Sequence, residues 1–319
     1  MSDNRIIFCR GQFIIIYYHG RNTTVRIGIE SGAYFDADLD RPDLTGGFRR
    51  MKKHGYDCVD YQGFVHTETP LFQCSWNEWR GKLEAVRKCA EDEGIEIFQS
   101  HGPWRWPPED ETEEKRAERF EKMSKSLDGA AILGCPYLVI HPVMPYGWES
   151  DPEPRRLWEI NIDFYSRLAE KAEQTGVTVC LENMPMPGIS VASPAQILGL
   201  VREIGSPYLR VCLDTGHAVM FEDPAVSVRL LGREYLRTLH IHDNDGKRDL
   251  HLLPYCGVIK WEGFCRALRE TGFDGVMSIE THAAAGMPPD LREYFEIGLA
   301  KTAAALAEMS GHGAETATV

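Results

Sequence analysis

The chain has 319 residues, with 35 Lys and Arg against 48 Asp and Glu and a formal net charge of −13. That length suits one large domain or two modest ones. With 43% hydrophobic and 26% charged residues, it can bury a substantial core, which excludes disorder as its default state. The acidic balance argues against a binder of the phosphate backbone, whose affinity comes from neutralising phosphates with Lys and Arg, so no nucleic-acid partner is expected.

The nine cysteines stand singly, without a CxxC. Neither a disulfide framework nor a thiolate zinc site is suggested, and a reducing cytoplasm fits best. The apolar stretch from Phe13 to Tyr18 is far shorter than the roughly 20 residues needed to span a bilayer. His19, Arg21 and Asn22 follow it where a leader would carry small residues, so neither a membrane anchor nor a signal peptide is expected. Residues 1–24 read as an N-terminal extension: an added strand, a cap across the barrel bottom or a poorly ordered leader.

From residue 25 onward, short apolar runs alternate with longer amphipathic segments. The runs are Val25–Glu30, Tyr56–Tyr61, Ile95–His101, Tyr137–His141, Val177–Glu182, Leu209–Asp214, Leu236–His242 and Val276–Glu280, eight in all. Gly55, Gly94, Gly134, Gly176 and Gly272 lie just before five of them, as helix stops do. Between the runs, Trp76–Glu93, Glu113–Leu133 and Leu157–Glu173 carry apolar residues at three- and four-residue spacing, the helical period. The charged run 109–122 (EDETEEKRAERFEK) reads as a solvated helix face.

Eight βα units with continuously apolar strands predict a single closed parallel (β/α)8 barrel over 25–309, with its active site at the carboxyl ends of the strands. Residues 310–319 are small and polar and read as a frayed tail. An open doubly wound sheet is the alternative. Against it, Ile29-Glu30-Ser31-Gly32-Ala33 stands where a Gly-rich phosphate loop would follow the first strand.

The last residues of predicted strands three to eight are His101, His141, Glu182, Asp214, His240 and Glu280. Six consecutive strands thus end in a metal-ligand type. They point into one bowl, where unpaired acids would repel and raise one another's pKa unless a cation neutralised them. A donor set of carboxylate oxygen and imidazole nitrogen without thiolate suits Mn²⁺, Co²⁺, Zn²⁺ or Fe²⁺. Asp214-Thr215-Gly216-His217 adds an imidazole above the bowl, and Asp249-Leu250-His251 can add another acid and imidazole. His242 and His282 each lie two residues beyond a strand-end candidate, on the same strand face. They are candidates to orient ligands or to make ordinary structural hydrogen bonds.

Trp104 and Trp106 follow His101 closely and would overhang the mouth, where indole stacks on the C–H face of a sugar or on an aromatic ring. Packing under a loop is the plainer alternative. Tyr61, Tyr146 and Trp148 are candidates to complete that wall. Lys247 and Arg248 could hold a phosphate or carboxylate, or be solvated loop charges. Cys58, Cys180 and Cys212 lie on strands and read as small core residues.

In their order and spacing, several motifs resemble those of the xylose-isomerase-like TIM-barrel superfamily, which holds sugar (phosphate) isomerases and epimerases together with endonuclease IV. These motifs are Ser100-His101-Gly102-Pro103, Ile140-His141-Pro142, Leu181-Glu182-Asn183, Leu213-Asp214-Thr215-Gly216-His217, His240-Ile241-His242-Asp243, Asp249-Leu250-His251 and Ser278-Ile279-Glu280. The resemblance covers about residues 25–290 in layout. In the epimerases, the positions matching Glu182, Asp214, His240 and Glu280 hold one metal, and His217 matches a substrate-contacting histidine. In endonuclease IV, three zinc ions are held by the positions matching those four plus His101, His141, His217, Asp249 and His251.

All nine positions carry a ligand type here, which leaves the count open between one ion and three. One departure is that Asn183-Met184-Pro185-Met186-Pro187-Gly188 lacks the further glutamate of the ketose 3-epimerases. That puts a free ketohexose substrate in doubt.

The expected function is a metal-dependent sugar or sugar-phosphate isomerase or epimerase. In it Glu182 and Glu280 move a proton through an enediolate, while His217, His251, Trp104, Trp106, Lys247 and Arg248 contact a carbohydrate-like small molecule. The alternatives are a lyase or dehydratase on the same enediolate logic, a trinuclear-zinc phosphoester hydrolase, and a barrel used only to bind ligands. A homo-oligomer is compatible with the sequence, which does not choose it.

Overall fold

The computed structural model describes residues 5–9, 12–16, 25–35, 43–284 and 286–311. The predicted extension and tail fall mostly outside these. Within the extension, β1 (Arg5–Cys9) and β2 (Gln12–Ile16) pair antiparallel as a separate two-stranded sheet.

Eight parallel strands form the barrel: β3 (Arg26–Glu30), β4 (Cys58–Tyr61), β5 (Glu96–His101), β6 (Tyr137–Ile140), β7 (Thr178–Glu182), β8 (Leu209–Asp214), β9 (Leu236–His240) and β10 (Val276–Ile279). Each pairs with its sequence neighbour, and β10 returns to β3. The ring is nearly complete. Between β9 and β10 it is joined at the carboxyl end, where Ile241 N–H donates to Ser278 O at 2.8 Å and Glu280 N–H to Ile241 O at 3.0 Å. The eight apolar runs therefore coincide with the eight strands. Their ends differ by one or two residues: His141 and Glu280 stand one place beyond β6 and β10.

Helices α1 (Leu44–His54), α3 (Trp76–Glu93), α4 (Glu113–Leu133), α5 (Pro154–Thr175), α6 (Pro194–Ile204), α8 (Pro224–Tyr235), α9 (Trp261–Thr271) and α10 (Pro289–Ser310) alternate with the strands, and α2 (Pro70–Gln73) and α7 (Thr215–Ala218) are single turns. The stops work as expected. Gly94 and Gly176 close α3 and α5 at φ 70° and 73°, a left-handed conformation that costs a side-chain-bearing residue energy and glycine little. At its start, α3 carries a reciprocal box in which Ser75 accepts from Glu78 N–H and Glu78 accepts from Ser75 N–H.

Helix α9 buries Trp261, Phe264, Cys265, Ala267 and Leu268, one face at helical spacing. Each large side chain so removed from water stabilises by about 1.5–3 kcal/mol before entropy is counted. Among the described residues no helix is long and apolar enough to cross a membrane.

Side chains two apart on a strand share a face, and this alternation builds the site. Cys58, Val139, Cys180, Cys212 and Val276 fill buried apolar clusters. Two residues further along β7 and β8, Cys180 gives way to Glu182 and Cys212 to Asp214; on β9, Thr238 gives way to His240. All three polar successors are buried. Small residues below thus leave the acids and imidazoles gathered at the carboxyl end, as the sequence predicts for the three cysteines.

Candidate metal centre

Glu182, at the end of β7, is the hub. His240 Nδ1 lies 3.0 Å from its Oε1, and His101 Nε2 and His141 Nε2 lie 3.4 and 3.2 Å from its Oε2. The two imidazole nitrogens are themselves only 3.2 Å apart. Glu280 Oε2 lies 3.3 Å from the same His240 Nδ1. One ligand atom from each of Glu182, Asp214, His240 and Glu280 falls within 4.8 Å of the others, and the same holds for His101, Glu182 and His240.

Buried oxygens Oε2 of Glu182 and of Glu280 accept no hydrogen bond. Buried carboxylate oxygens without a hydrogen-bond donor are costly unless a cation sits beside them. The residues present therefore fit a divalent ion.

Asp214 ends β8 and caps the single turn α7: its Oδ1 accepts from His217 N–H at 2.6 Å. That turn aims His217 back over the bowl, with Nδ1 2.8 Å from Asn183 O and Nε2 3.2 Å from Asp249 Oδ2. A further grouping forms beside the first, from His217, His242, Asp249 and His251. His251 takes the left-handed φ of 46°, uncommon for a non-glycine residue. Its ring stacks on His242 at 4.1 Å with 7° between planes, and its Nδ1 lies 2.9 Å from Glu280 O. His242 Nε2 lies 2.9 Å from Asp214 Oδ2, so this histidine links the two groupings.

Electrostatics within the bowl are strongly opposed. Burial pushes the Glu182 carboxyl up, but the His240 and His141 imidazoles outweigh it and hold it well below the usual range. Burial also raises Glu280; His240 and His251 pull it down, yet with Glu182 and Asp214 as like-charged neighbours it ends well above the usual value. His141 is lowered to about 4, chiefly by burial. Burial lowers His217 and His251 as well, but the acids around them win and raise them to about 10 and about 11.

Several members of the site escape a reading of strand ends. Asp60, inside β4, has Oδ2 2.9 Å from His240 Nε2 and accepts the Gln99 amide at 3.0 Å on the same oxygen. Asn183 clamps the Asp214 backbone, accepting from its N–H at 2.9 Å and donating to its carbonyl at 3.1 Å. Asp243 accepts from Asn244 N–H, Ile259 N–H and the Trp261 indole at 2.9 to 3.1 Å. It thereby fixes the loop that presents Asp249 and His251. The signal for Asp60 was present in the sequence: it is the one charged residue in an otherwise uncharged strand, Cys58-Val59-Asp60-Tyr61.

Other candidates are dispersed. Trp104 lies 4.6 Å, ring to ring, from His141, and Trp106 lies beyond it. Tyr61 is no part of a wall; it is buried edge-on against Phe64, because its position in β4 faces the helix layer. Lys247 and Arg248 are exposed loop residues, and Arg248 pairs with Asp245 at 2.8 Å; the structure does not bring them to the cluster. His282 turns to Glu30 at 2.8 Å, away from the ligands.

An uncharacterized protein of Methanocaldococcus jannaschii is 32% identical over 197 residues, 60% of this chain and 67% of that protein. Fructoselysine 3-epimerase of Escherichia coli O157:H7 is 23% identical over 253 residues, 77% of this chain and 88% of that enzyme. Among solved structures, that of the IOLI protein with a binding zinc atom matches with a TM-score of 0.68 at 18% identity, over 89% of this chain and 98% of that one. A family model described as a xylose isomerase-like TIM barrel matches residues 48–302. Those residues run from α1 into α10 and include every ligand-type side chain of the bowl, so barrel, site and family model coincide: the chain belongs to the xylose isomerase-like TIM-barrel family.

Proposed function

We propose that the chain is a metal-dependent isomerase or epimerase of a sugar. One observation carries the reading: Glu182, Asp214, His240 and Glu280, from four successive strands, bring ligand atoms within 4.8 Å of one another around carboxylate oxygens that accept no hydrogen bond. The epimerase name of the Escherichia coli relative supports the reaction class, and the zinc in the IOLI structure supports a metal. The thiolate-free donor set admits Mn²⁺, Co²⁺, Zn²⁺ or Fe²⁺.

When bound, a divalent ion polarises a carbonyl and the hydroxyl beside it, acidifying the C–H between them. The proton steps belong to the protein. Glu182 and Glu280 converge on one His240 nitrogen, at 3.0 and 3.3 Å, from strands separated by two others. One carboxylate removes the proton from one face of the substrate, and the other, protonated beforehand, delivers its own proton to the opposite face, inverting the carbon; both then re-equilibrate with solvent. His217, with Nδ1 on Asn183 O and Nε2 on Asp249 Oδ2, stands beside the carboxylates, and a substrate hydroxyl would compete with Asp249 for its Nε2. Glu182, Asn183 and His217 are buried, which limits the access of water to the enediolate. Free, scattered cysteines fit a reducing cytoplasm for this work.

Conversion of Glu182 or Glu280 to Gln keeps shape and a coordinating oxygen but removes the base. Turnover should fall by about 100-fold or more. In D₂O the wild type should wash deuterium into the carbon beside the carbonyl of the ketose it accepts, and each variant should not. Undiminished exchange in both metal-loaded variants would remove the carboxylates from the mechanism.

A second reading rests on the grouping of His217, His242, Asp249 and His251, together with that of His101, Glu182 and His240: three ions serving phosphoester hydrolysis. Elemental analysis of the purified protein separates the two, one ion per chain for the first and three for the second. Retardation of an abasic duplex at about 150 mM salt would favour hydrolysis, against the −13 charge.

A further inference from the structure

Trp106 and Trp148 are 55% and 41% exposed, and their rings lie 5.1 Å apart with 40° between planes. They sit on adjacent loops at the carboxyl end of the barrel, after β5 and β6. Trp104 joins them to the cluster, 6.0 Å from Trp106 on one side and 4.6 Å from His141 on the other. A single sugar ring held at the carboxylates is within reach of Trp104. Trp148 stands two aromatic steps further out and has no part in binding such a ring.

The two loops that carry the outer pair are tied to one another and to the barrel. Asp110, buried at the end of the first loop, accepts from Met144 N–H of the second loop at 2.9 Å and pairs with Arg119, which donates in turn to His141 O at 2.7 Å. Asn161 clasps Val143 through both its N–H and its carbonyl, each at 2.9 Å. Arg105, between the tryptophans of the first loop, is held by Glu68, Glu109 and Glu118 at 3.0 to 3.2 Å. That cation is therefore neutralised, and the surface offered at the mouth is indole. Two touching, exposed aromatics on loops tied together beside a candidate site are apolar surface suited to a ligand.

We infer that Trp106 and Trp148 form an outer subsite for a second ring, covalently joined to the sugar held at the cluster, so that the substrate is a glycoside-type conjugate rather than a free monosaccharide. The inference rests on the proposed sugar chemistry for what fills the inner site. Recognition is by the flat apolar face of the second ring, which a pyranose C–H face or an aryl group presents equally well.

Isothermal titration of the metal-loaded full chain with glucose, maltose, cellobiose and the two p-nitrophenyl glucoside anomers tests it. At least one two-ring compound should bind about tenfold more tightly than glucose, in keeping with stacking on two indoles. Whether a disaccharide or a nitrophenyl glucoside leads decides between a sugar and an aryl second ring. In Trp148→Ala, a surface change whose folding circular dichroism verifies, the advantage over glucose should shrink to about twofold or less.

Equal affinity for one-ring and two-ring compounds in the wild type overturns the inference, as does a full advantage in folded Trp148→Ala or no binding of any two-ring compound. The deuterium exchange test reads the carboxylates alone. Its failure with the two-ring preference intact would remove the isomerase reading and leave the subsite standing.

Discussion

At the scale of single residues, the cluster depends on what each ligand's other side touches. His240 is buried between Glu182 and Asp60, with Asp60 Oδ2 2.9 Å from Nε2. That carboxylate fixes the ring's tautomer and makes Nδ1 the better donor to a metal. Asp214→Ala and His240→Ala should each abolish stoichiometric metal in a folded barrel, because the apolar core consists of other side chains. Asp60→Asn should retain metal but bind it about 10- to 100-fold more weakly, the usual cost of losing such a partner. Competition with a chelator, followed by elemental analysis, measures both. Unchanged affinity in Asp60→Asn would reduce Asp60 to a packing role.

The elements set how closely those residues approach. Helix α7 is one turn long, and Gly216 within it faces the His242 ring so closely that a Cβ there would overlap the imidazole. The ring is also stacked against His251 at 4.1 Å, which restricts how it can yield. Gly216→Ala should therefore displace His242 from Asp214, destabilise the fold by about 1–3 kcal/mol as overpacking does, and weaken metal at the cluster that Asp214 belongs to. A lowered melting temperature with a reduced metal count is the expected pair of results. A variant matching the wild type in both would show that the turn can shift. The same closeness explains why Thr215 and Asn183, neither a ligand type at a strand end, matter: Thr215 Oγ1 donates to His242 O at 2.7 Å, and Asn183 holds the Asp214 backbone.

For the whole molecule, the side of the barrel under α10 carries an ionisable layer unrelated to the bowl. Glu296 is buried, 4.0 Å from both Arg50 and His54, and Tyr34 donates to or accepts from His54 Nδ1 at 2.7 Å. Burial raises the Glu296 carboxyl above its usual value, with Arg50 and Arg292 pulling against it and Glu293 adding to it. A raised folded-state value means that the native chain keeps this proton longer than the unfolded chain does. Its contribution is thus fully present below the unfolded value of about 4.3 and is lost as pH rises through the folded value. Glu296→Gln should flatten this component of the stability profile and raise the melting temperature at neutral pH relative to the wild type. Thermal unfolding between about pH 4 and about pH 7 reads it. A variant less stable than the wild type at neutral pH would mean that the ionised carboxylate is a net stabiliser through Arg50.

Much of the molecule was legible in the chain itself because it is local. Eight apolar runs, five of them preceded by a stop glycine and separated by segments with three- and four-residue spacing, coincide with the eight barrel strands. The carboxyl ends of parallel strands share one rim, so reading the strand-terminal residues Glu182, Asp214 and His240, and His141 and Glu280 one place beyond, already identified the bowl. Tertiary structure alone decided what depends on distances between segments far apart in sequence. Asp60 and His240 are 180 residues apart in the chain, and no spacing rule joins them. The turn of Tyr61 into the core, the pairing of Arg248 with Asp245 and that of His282 with Glu30 follow from side-chain direction, which a sequence leaves open wherever a loop or strand end can face two ways. The separation of Trp106 and Trp148 from the inner cluster is likewise a property of two loops tied together by Asp110, and only their docking on the barrel makes it.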